Sequence, residues 1–223
     1  MNLYLDNNAT TRLDPRVKDA MMPYMDNVFG NPSSVHVHGQ RTRHAVDTAR
    51  TQVAALINAE PEEIIFTAGG TEACNAALLG HCRVDVKTWN IDMLSCSSHK
   101  LHGPMGVGAL FVKRGTRILP MFFGGHQEYR RRAGTENVPG IVGFGAACQL
   151  AAREMQQRQR HVASLKSHLE TGLRTLDDVW IFGDAAPRLP GTCYAGFGNV
   201  EGETLAEIDQ LLSTLGELLP GLQ

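Results

Sequence analysis

The stretch "SCSSHKLHGPMGVG", residues 95–108, surrounds a single lysine, Lys100, with small hydroxyl residues, two histidines and three glycines. The apolar runs "IDMLSCS" at 91–97 and "GVGALFVK" at 106–113 flank it, and both are typical of β-strands. The lysine therefore lies at the end of a predicted strand, in a glycine-rich turn. A lysine amine attacks an aldehyde only in its deprotonated form, which partial burial favours. The stretch indicates a lysine with a chemical role, and the alternative is an ordinary surface lysine.

The composition is that of a globular protein and excludes several functional classes. The 223 residues are 43% hydrophobic and 20% charged with a formal net charge of -2, whereas a dedicated nucleic-acid binder is normally strongly basic. No apolar run is long enough to cross a bilayer, and the start "MNLYLDNNATT" lacks the features of a signal peptide. We therefore expect a cytoplasmic protein that binds neither nucleic acid nor membrane. An odd number of cysteines without a CxxC pair predicts neither a disulfide framework nor a metal site; they are Cys74, Cys82, Cys96, Cys148 and Cys193.

The order of the predicted elements is that of an α/β protein. Asp14 followed by Pro15 predicts a helix start, and apolar residues at helical spacing predict a second helix over 45–56, about four turns long. The strand-like run "EIIFT" at 63–67 meets a glycine-containing turn that opens a third helix within 68–80. The C-terminal half is predicted to hold two helices over 141–176, strands at 179–183 and 192–198, and a last helix near 203–217.

Two further motifs are candidates for binding an anion. In "TAGGTEACN", residues 67–75, the amides of Gly70 and Thr71 would lie at a helix N-terminus, where free N–H groups and the helix dipole favour a phosphate. In "GGHQEYRRRAGTEN", residues 124–137, three arginines precede Gly134 and Thr135 at the predicted head of another helix. A tight strand-to-helix connection and a solvated charge run are the respective alternatives. Two anion sites and one lysine together indicate a phosphorylated carbonyl cofactor.

Five blocks of the chain carry a resemblance to a known family. The sequence resembles the NifS-type cysteine desulfurases, fold-type I pyridoxal-phosphate enzymes of the class V aminotransferase group. The blocks occur in the family order and are "YLDNNATT", "GNPSSVHVHG", "EIIFTAGGTEA", "IDMLSCSSHKLHGPMGVG" and "GGHQEYRRRAGTENVPGIVGFG". With "RLPGT" and "NVEGETL" further on, the resemblance covers nearly the whole chain.

The resemblance implies a fold, an activity and partners. The fold would be a mixed, mostly parallel sheet flanked by helices, a reduced form of the pyridoxal-phosphate-dependent transferase fold. A cofactor-binding large domain would comprise 21–137, and a smaller α+β domain would comprise 1–20 and 138–223. The family converts L-cysteine to L-alanine and an enzyme-bound persulfide, which goes to an iron–sulfur scaffold protein, in some members for nitrogen fixation. The implied assembly is a homodimer.

The resemblance also implies roles for individual residues. Lys100 would bind the aldehyde of pyridoxal 5'-phosphate and shuttle the Cα proton of the substrate. Thr135 would reach the phosphate of the partner subunit's cofactor, in the same setting as the arginines at 131 and 132. The other residues implied to hold the cofactor are Gly70, Thr71, Ser97, Ser98 and His99.

Some motifs of the family are missing from this sequence, and their absence leaves three hypotheses about the function open. The stretch with "NNETG" and "DAVQ", expected between "AALLG" at 76–80 and "HCRVDVK" at 81–87, is absent, and so is the "SSGSAC" loop with the cysteine that takes the sulfur. The substrate-carboxylate arginine is missing with that loop, and Cys193 does not match the missing cysteine. The first hypothesis is a shortened cysteine desulfurase. The second is a chain that binds pyridoxal phosphate without desulfuration, and the third is a non-enzymatic scaffold that keeps the fold.

Overall fold

A computed structural model describes residues 4, 6–69, 84–120, 122–198 and 204. The chain divides into two compact units, one of residues 8–158 and one of residues 1–7 with 159–223. The helix predicted within 68–80 and nearly all of the helix predicted near 203–217 lie outside the described residues. The assignment of 21–137 and of 1–20 with 138–223 to the two domains of the family stays a prediction.

Two helices of the unit 8–158 begin and end at residues that cap them. Helix α1 (Pro15–Met25) starts as predicted, with Asp14 Oδ1 accepting the N–H of Arg16 at 2.9 Å. Helix α2 (Val37–Ile57) is longer than the four turns predicted, because His36 caps it ahead of the apolar pattern. It ends at Asn58, which adopts the left-handed conformation common at helix C-termini.

A three-stranded sheet lies beside these helices. Strand β1 (Ile64–Thr67), strand β2 (Met93–Ser97) and strand β3 (Gly108–Val112) form it in the order β1-β3-β2, which confirms all three predicted strands. Both outer strands pair antiparallel with β3. They therefore point in the same direction on either side of β3, but every strand pair in the described part of the chain is antiparallel, so the parallel pairing implied by the resemblance is not among the described strands.

One long helix covers the sheet in place of the two predicted over 141–176. Helix α3 (Val138–Leu173) continues for 36 residues because no glycine or proline interrupts residues 146–171. Its first half packs on α2, and a Cβ on Gly145 would lie only 2.7 Å from Ala49 Cα. The core between the helices and the sheet includes these residues with at most 2% exposure: Val17, Val46, Ala49, Val53, Ile57, Ile64, Cys96, Ala109, Phe111, Ile141, Phe144 and Cys148.

The unit with residues 159–223 holds the end of α3 and a small hairpin-like sheet. Strand β4 (Val179–Ile181) and strand β5 (Ala195–Phe197) confirm the two strands predicted there, and they pair antiparallel. Arg188 binds Glu170 of α3 in a bidentate ion pair at 2.6 and 3.0 Å, which ties the β4–β5 connection to the helix. No helix in the described part of the chain is long and apolar enough to cross a membrane.

Candidate active site

The C-terminal ends of β1 and β2 lie on either side of Gly108. Thr67 and Ser97 are both in register with this glycine. A Cβ on Gly108 would lie 2.7 Å from Cys96 O and 3.0 Å from Gly69 C, closer than side chains approach backbone. The segment that leads to residues 70 and 71 and the segment that leads to Lys100 therefore leave the sheet at the same end, with Gly108 of β3 between them.

Lys100 lies in a tight turn directly after β2. Residues Ser98–Leu101 form a 3₁₀ helix, which ends at His102 with a left-handed backbone and a Gly103 N–H to Ser98 O bond of 3.1 Å. The Lys100 side chain is half-buried, and its Nζ donates a hydrogen bond to the backbone carbonyl of Asn8. The turn thus points its amine at the N-terminal segment of the unit.

That N-terminal segment is fastened to the lysine turn by a set of hydrogen bonds. Thr11 donates to the His99 carbonyl from both its N–H, at 2.9 Å, and its hydroxyl, at 2.7 Å. The same hydroxyl accepts the His102 N–H at 2.7 Å, and Thr11 is buried. Residues of the "NNATT" block therefore form one wall around Lys100. From the sequence, this block indicated only the resemblance to the family, because no local signal in it predicts contact with a lysine about ninety residues away.

His99 lies beside the lysine in surroundings that favour its neutral form. Its Nδ1 lies 3.1 Å from the Thr10 hydroxyl. Burial lowers the pKa of His99 below its ordinary value, and the charge of Lys100 lowers it further. A neutral ring can lie against an aromatic group or hydrogen bond to it without adding a second positive charge.

The two serines before Lys100 differ in their surroundings. Ser97 is half-buried at the end of β2. Ser98 is fully buried, and its hydroxyl faces the space where a Cβ on Gly103 would be. Ser98 Oγ has no hydrogen-bond partner among the residues that the structure describes, so it is an unsatisfied polar atom two residues before the lysine.

The structure gives less information on the remaining predicted site residues. Gly70 and Thr71 lie outside the described residues. Thr135 is exposed in the loop before α3. Helix α3 begins at Val138 rather than at Gly134, because Asn137 caps it by accepting the Gly140 N–H at 3.2 Å.

These residues fit pyridoxal phosphate. An aldehyde cofactor needs an amine that the fold holds in a fixed position, and Lys100 provides one in the turn after β2. The phosphate end needs free backbone N–H groups, which the turn after β1 is predicted to supply next to it. The half-buried His99 ring, whose surroundings lower its pKa and so favour the neutral form, is of the kind that a polar aromatic ring can contact, whereas the fully buried Ser98 hydroxyl lies under Gly103.

The described cysteines are poorly suited to attack sulfur. Burial raises the pKa of Cys96 to about 12 and also raises the pKa of Cys148. Burial and the neighbouring Glu170 raise the pKa of Cys193. The thiolate is the nucleophilic form, so all three thiols are weak nucleophiles near neutral pH. Among the residues described, no group of histidines, cysteines and carboxylates could hold a metal ion.

Comparison with known proteins shows which family this chain belongs to. The sequence pattern of the family described as aminotransferase class-V matches residues 3–80 and 76–211. The chain belongs to the aminotransferase class-V family. Members of this family that resemble the chain, the cysteine desulfurases, depend on pyridoxal phosphate, so the resemblance and the cofactor inferred from the sequence are confirmed.

Relatives and solved structures of this class-V family agree with the fold. A cysteine desulfurase of Trichormus azollae is 34% identical, over 91% of this chain and 76% of the relative. A structure titled "NIFS-LIKE PROTEIN" is 25% identical with a TM-score of 0.89, over 96% of this chain and 86% of its own. A NifS-like protein from Rickettsia africae ESF-5 has a TM-score of 0.90 at 23% identity, over 96% of this chain and 86% of its own. The α/β fold class is therefore confirmed.

The comparisons also locate one internal difference from other class-V members. The alignment with the Trichormus azollae relative spans 304 residues, more than the 223 residues of the whole chain, so the relative has residues that this chain lacks. The two matched segments of the family pattern meet at 76–80. That is where the sequence places the stretch with the missing "NNETG" and "DAVQ" motifs.

Proposed function

We propose that this chain is a cysteine desulfurase, which removes sulfur from L-cysteine and releases L-alanine. The observation that carries the proposal is the Lys100 amine, held by Asn8 in a turn at the end of the sheet where both β1 and β2 end. Two relatives named cysteine desulfurase are 34% and 33% identical over 91% of this chain, which supports the same reaction.

The chain's own residues divide the work between the two ends of the cofactor. Pyridoxal phosphate supplies an aldehyde that links to amines and a ring that withdraws electrons from the substrate carbon. Lys100 Nζ takes and returns the proton at Cα of cysteine, and the Asn8 carbonyl keeps it oriented when it is idle. His99 and Ser97 line the ring side, and Gly70 and Thr71 bind the phosphate.

Finer features of the proposal concern partners and location. Thr135, exposed before α3, binds the cofactor phosphate of a second copy, so the working form is a homodimer. The sulfur leaves as a persulfide for an iron–sulfur scaffold protein, in a cytoplasmic pathway that can include nitrogenase maturation. Light scattering of the purified chain tests the dimer, and a monomer at micromolar concentration would contradict it.

One observation favours a second candidate function. Because the three described thiols are buried or have raised pKa values, a sulfur acceptor must come from another cysteine or another protein. The second candidate is therefore a protein that binds pyridoxal phosphate at Lys100 without releasing sulfur by itself. A scaffold without enzymatic activity is the third, and it requires that no cofactor binds.

A covalent trapping experiment separates these functions. The protein is incubated with pyridoxal phosphate, reduced with borohydride and mapped by peptide mass. We expect one adduct, at Lys100, which Lys100→Ala removes and which Lys113→Ala, a surface lysine bound to Asn90, leaves in place. Absence of any adduct would overturn both cofactor-dependent functions.

Product release then distinguishes the first function from the second. Alanine and sulfide are measured after adding L-cysteine with a reductant. Release well above the rate of free pyridoxal phosphate, and its loss in Lys100→Ala, is expected for the desulfurase. An adduct at Lys100 with no release above that background would identify the second function.

A further inference from the structure

A buried ion pair joins helix α2 to the loop that follows residue 124. The side chains of Arg50 and Glu128 are 7% and 2% exposed. The guanidinium binds the carboxylate at both ends, with Nη2 to Oε1 at 2.7 Å and Nη1 to Oε2 at 2.8 Å. Buried ion pairs cost desolvation energy that apolar residues would avoid, so such a pair is more easily explained by what it orients than by stability.

The pair occupies the outer edge of β1. Arg50 Nη1 donates to the carbonyl of Ile64 at 2.7 Å, and Glu128 Oε2 accepts the N–H of Phe66 at 2.8 Å. Because β1 bonds β3 through its other edge, these two backbone groups face away from the sheet. The ion pair therefore attaches the segment around Glu128 to β1 where a neighbouring strand would otherwise bond.

The attached segment has an unfavourable backbone conformation. Glu128, Tyr129 and Arg130 have φ angles of 45°, 57° and 63°, a left-handed run that residues with a side chain rarely adopt. The Arg50 guanidinium lies 5.4 Å from the centre of the Tyr129 ring and 4.8 Å from that of Phe66. Contacts from one arginine thus hold both the carboxylate and the ring of this turn in place.

Hydrogen bonds from this turn fix the backbone of the residues that follow it. The N–H of Arg131 donates to the Glu128 carbonyl at 3.0 Å, and the N–H of Gly134 donates to Gln127 Oε1 at 3.2 Å. The Arg131 side chain is half-buried in this segment, and a guanidinium is well suited to bind a phosphate. Thr135 follows directly and is exposed.

We infer that Arg50 and Glu128 are positioning residues that hold the segment 131–135 for contact with a phosphate, an inference that rests on the proposed function. The pair bonds the outer edge of β1, whereas Lys100 follows β2 on the far side of β3. The pair does not bond to the lysine turn, and the segment it holds contains Thr135, which the proposed function places at the phosphate of a second copy's cofactor. We therefore expect the pair to affect phosphate binding and not the reaction of the aldehyde with Lys100. Losing it lowers affinity for a phosphorylated aldehyde selectively.

The test compares two aldehydes that differ only in the phosphate. Pyridoxal phosphate and pyridoxal are titrated into wild type and Glu128→Gln, and covalent occupancy of Lys100 is read by mass after borohydride reduction. Glutamine keeps the volume and can still accept the Phe66 N–H, but it loses the charge. We expect affinity for pyridoxal phosphate to fall at least about tenfold, as for a lost charge-assisted hydrogen bond, and affinity for pyridoxal to change less than about twofold.

Two variants control for a general effect on folding. Arg50→Lys keeps one charge but cannot bind both carboxylate oxygens, and it should show the same selective loss. Glu170→Gln breaks the comparable bidentate pair with Arg188 in the unit 159–223 and should change neither affinity. Circular dichroism establishes that each variant is folded before titration.

The outcomes separate this inference from the proposed function. Equal losses for both aldehydes, or none, in the folded Glu128→Gln and Arg50→Lys variants would overturn the positioning role. If both variants unfold, hydrogen exchange of amides 129–135 in wild type decides: slowing by pyridoxal phosphate but not by pyridoxal supports the role, and equal behaviour contradicts it. No adduct with either aldehyde in wild type would instead refute the proposed function.

Discussion

Replacing Gly108 with alanine tests most directly whether the ends of β1 and β2 pack against this glycine. The added Cβ would lie 2.7 Å from Cys96 O on one side and 3.0 Å from Gly69 C on the other, and both are backbone atoms. No side-chain rotation relieves these contacts, so one outer strand must move. Overpacking of this kind costs roughly 1–3 kcal/mol, and we expect a loss of about 2 kcal/mol in unfolding free energy. Because the lysine turn follows one of these strands, the adduct at Lys100 should also decrease.

Urea unfolding followed by far-ultraviolet circular dichroism measures this loss. With a slope of about 2 kcal/mol per molar urea, the midpoint should fall by about 1 M. Gly106→Ala is the matched control, since Gly106 has φ +74° with nothing within 4 Å of an added Cβ. It should cost about 1–2 kcal/mol from backbone strain alone, without loss of the adduct.

The comparison of the two glycine variants can refute the reasoning. If Gly108→Ala keeps both the wild-type midpoint and the adduct at Lys100, then the strand ends are not packed against Gly108 as described. A loss of the adduct in Gly106→Ala equal to that in Gly108→Ala would show that general destabilisation, and not strand displacement, removes it.

Three further predictions follow from burial and charge. Phe144→Ala empties a fully buried position and should cost roughly 3–5 kcal/mol by urea unfolding, and a cost below about 1 kcal/mol would contradict its place in the core. Hydrogen bonds from Arg16 lower the pKa of Asp14 and of Glu154 to about 2. The two carboxylates therefore stabilise the folded state above about pH 4.5, and this stabilisation is lost as the pH falls towards 2. A urea unfolding midpoint that does not fall between pH 5 and pH 2.5 would contradict this. Burial raises the pKa of Cys96 to about 12, so iodoacetamide at pH 8 should label it only after unfolding, as peptide mass mapping can show.

Features encoded in neighbouring residues could be predicted from the sequence. The start of α1 follows from Asp14 and Pro15, whose capping and backbone preferences act within one turn. The three strands of the sheet follow from short apolar runs bounded by turn residues. The placement of Lys100 after β2 follows from the same signals, since the strand and the glycines are adjacent to it.

Features that depend on contacts between distant segments could not be predicted in this way. The bond from Lys100 to Asn8 and the pairing of Arg50 with Glu128 join residues about 80 to 90 positions apart, and one sequence contains no signal for such a partner. Two other differences are local. The division of 141–176 into two helices was wrong because residues 146–171 contain no glycine or proline that would end a first helix. The start of α3 was placed too early because Asn137, and not Gly134, provides the cap.

The shared register of β1 and β2 at Gly108 has a consequence for evolution. Two interstrand spacings separate the ends of these strands, about 9.6 Å, and backbone ladders alone determine that separation. Most side chains along the strands can therefore be exchanged over evolutionary time without altering the span between the amine and the turn after β1. A span set in this way tolerates extensive mutational drift, which accounts for a lineage that shares about a third of its residues and a common architecture with this chain.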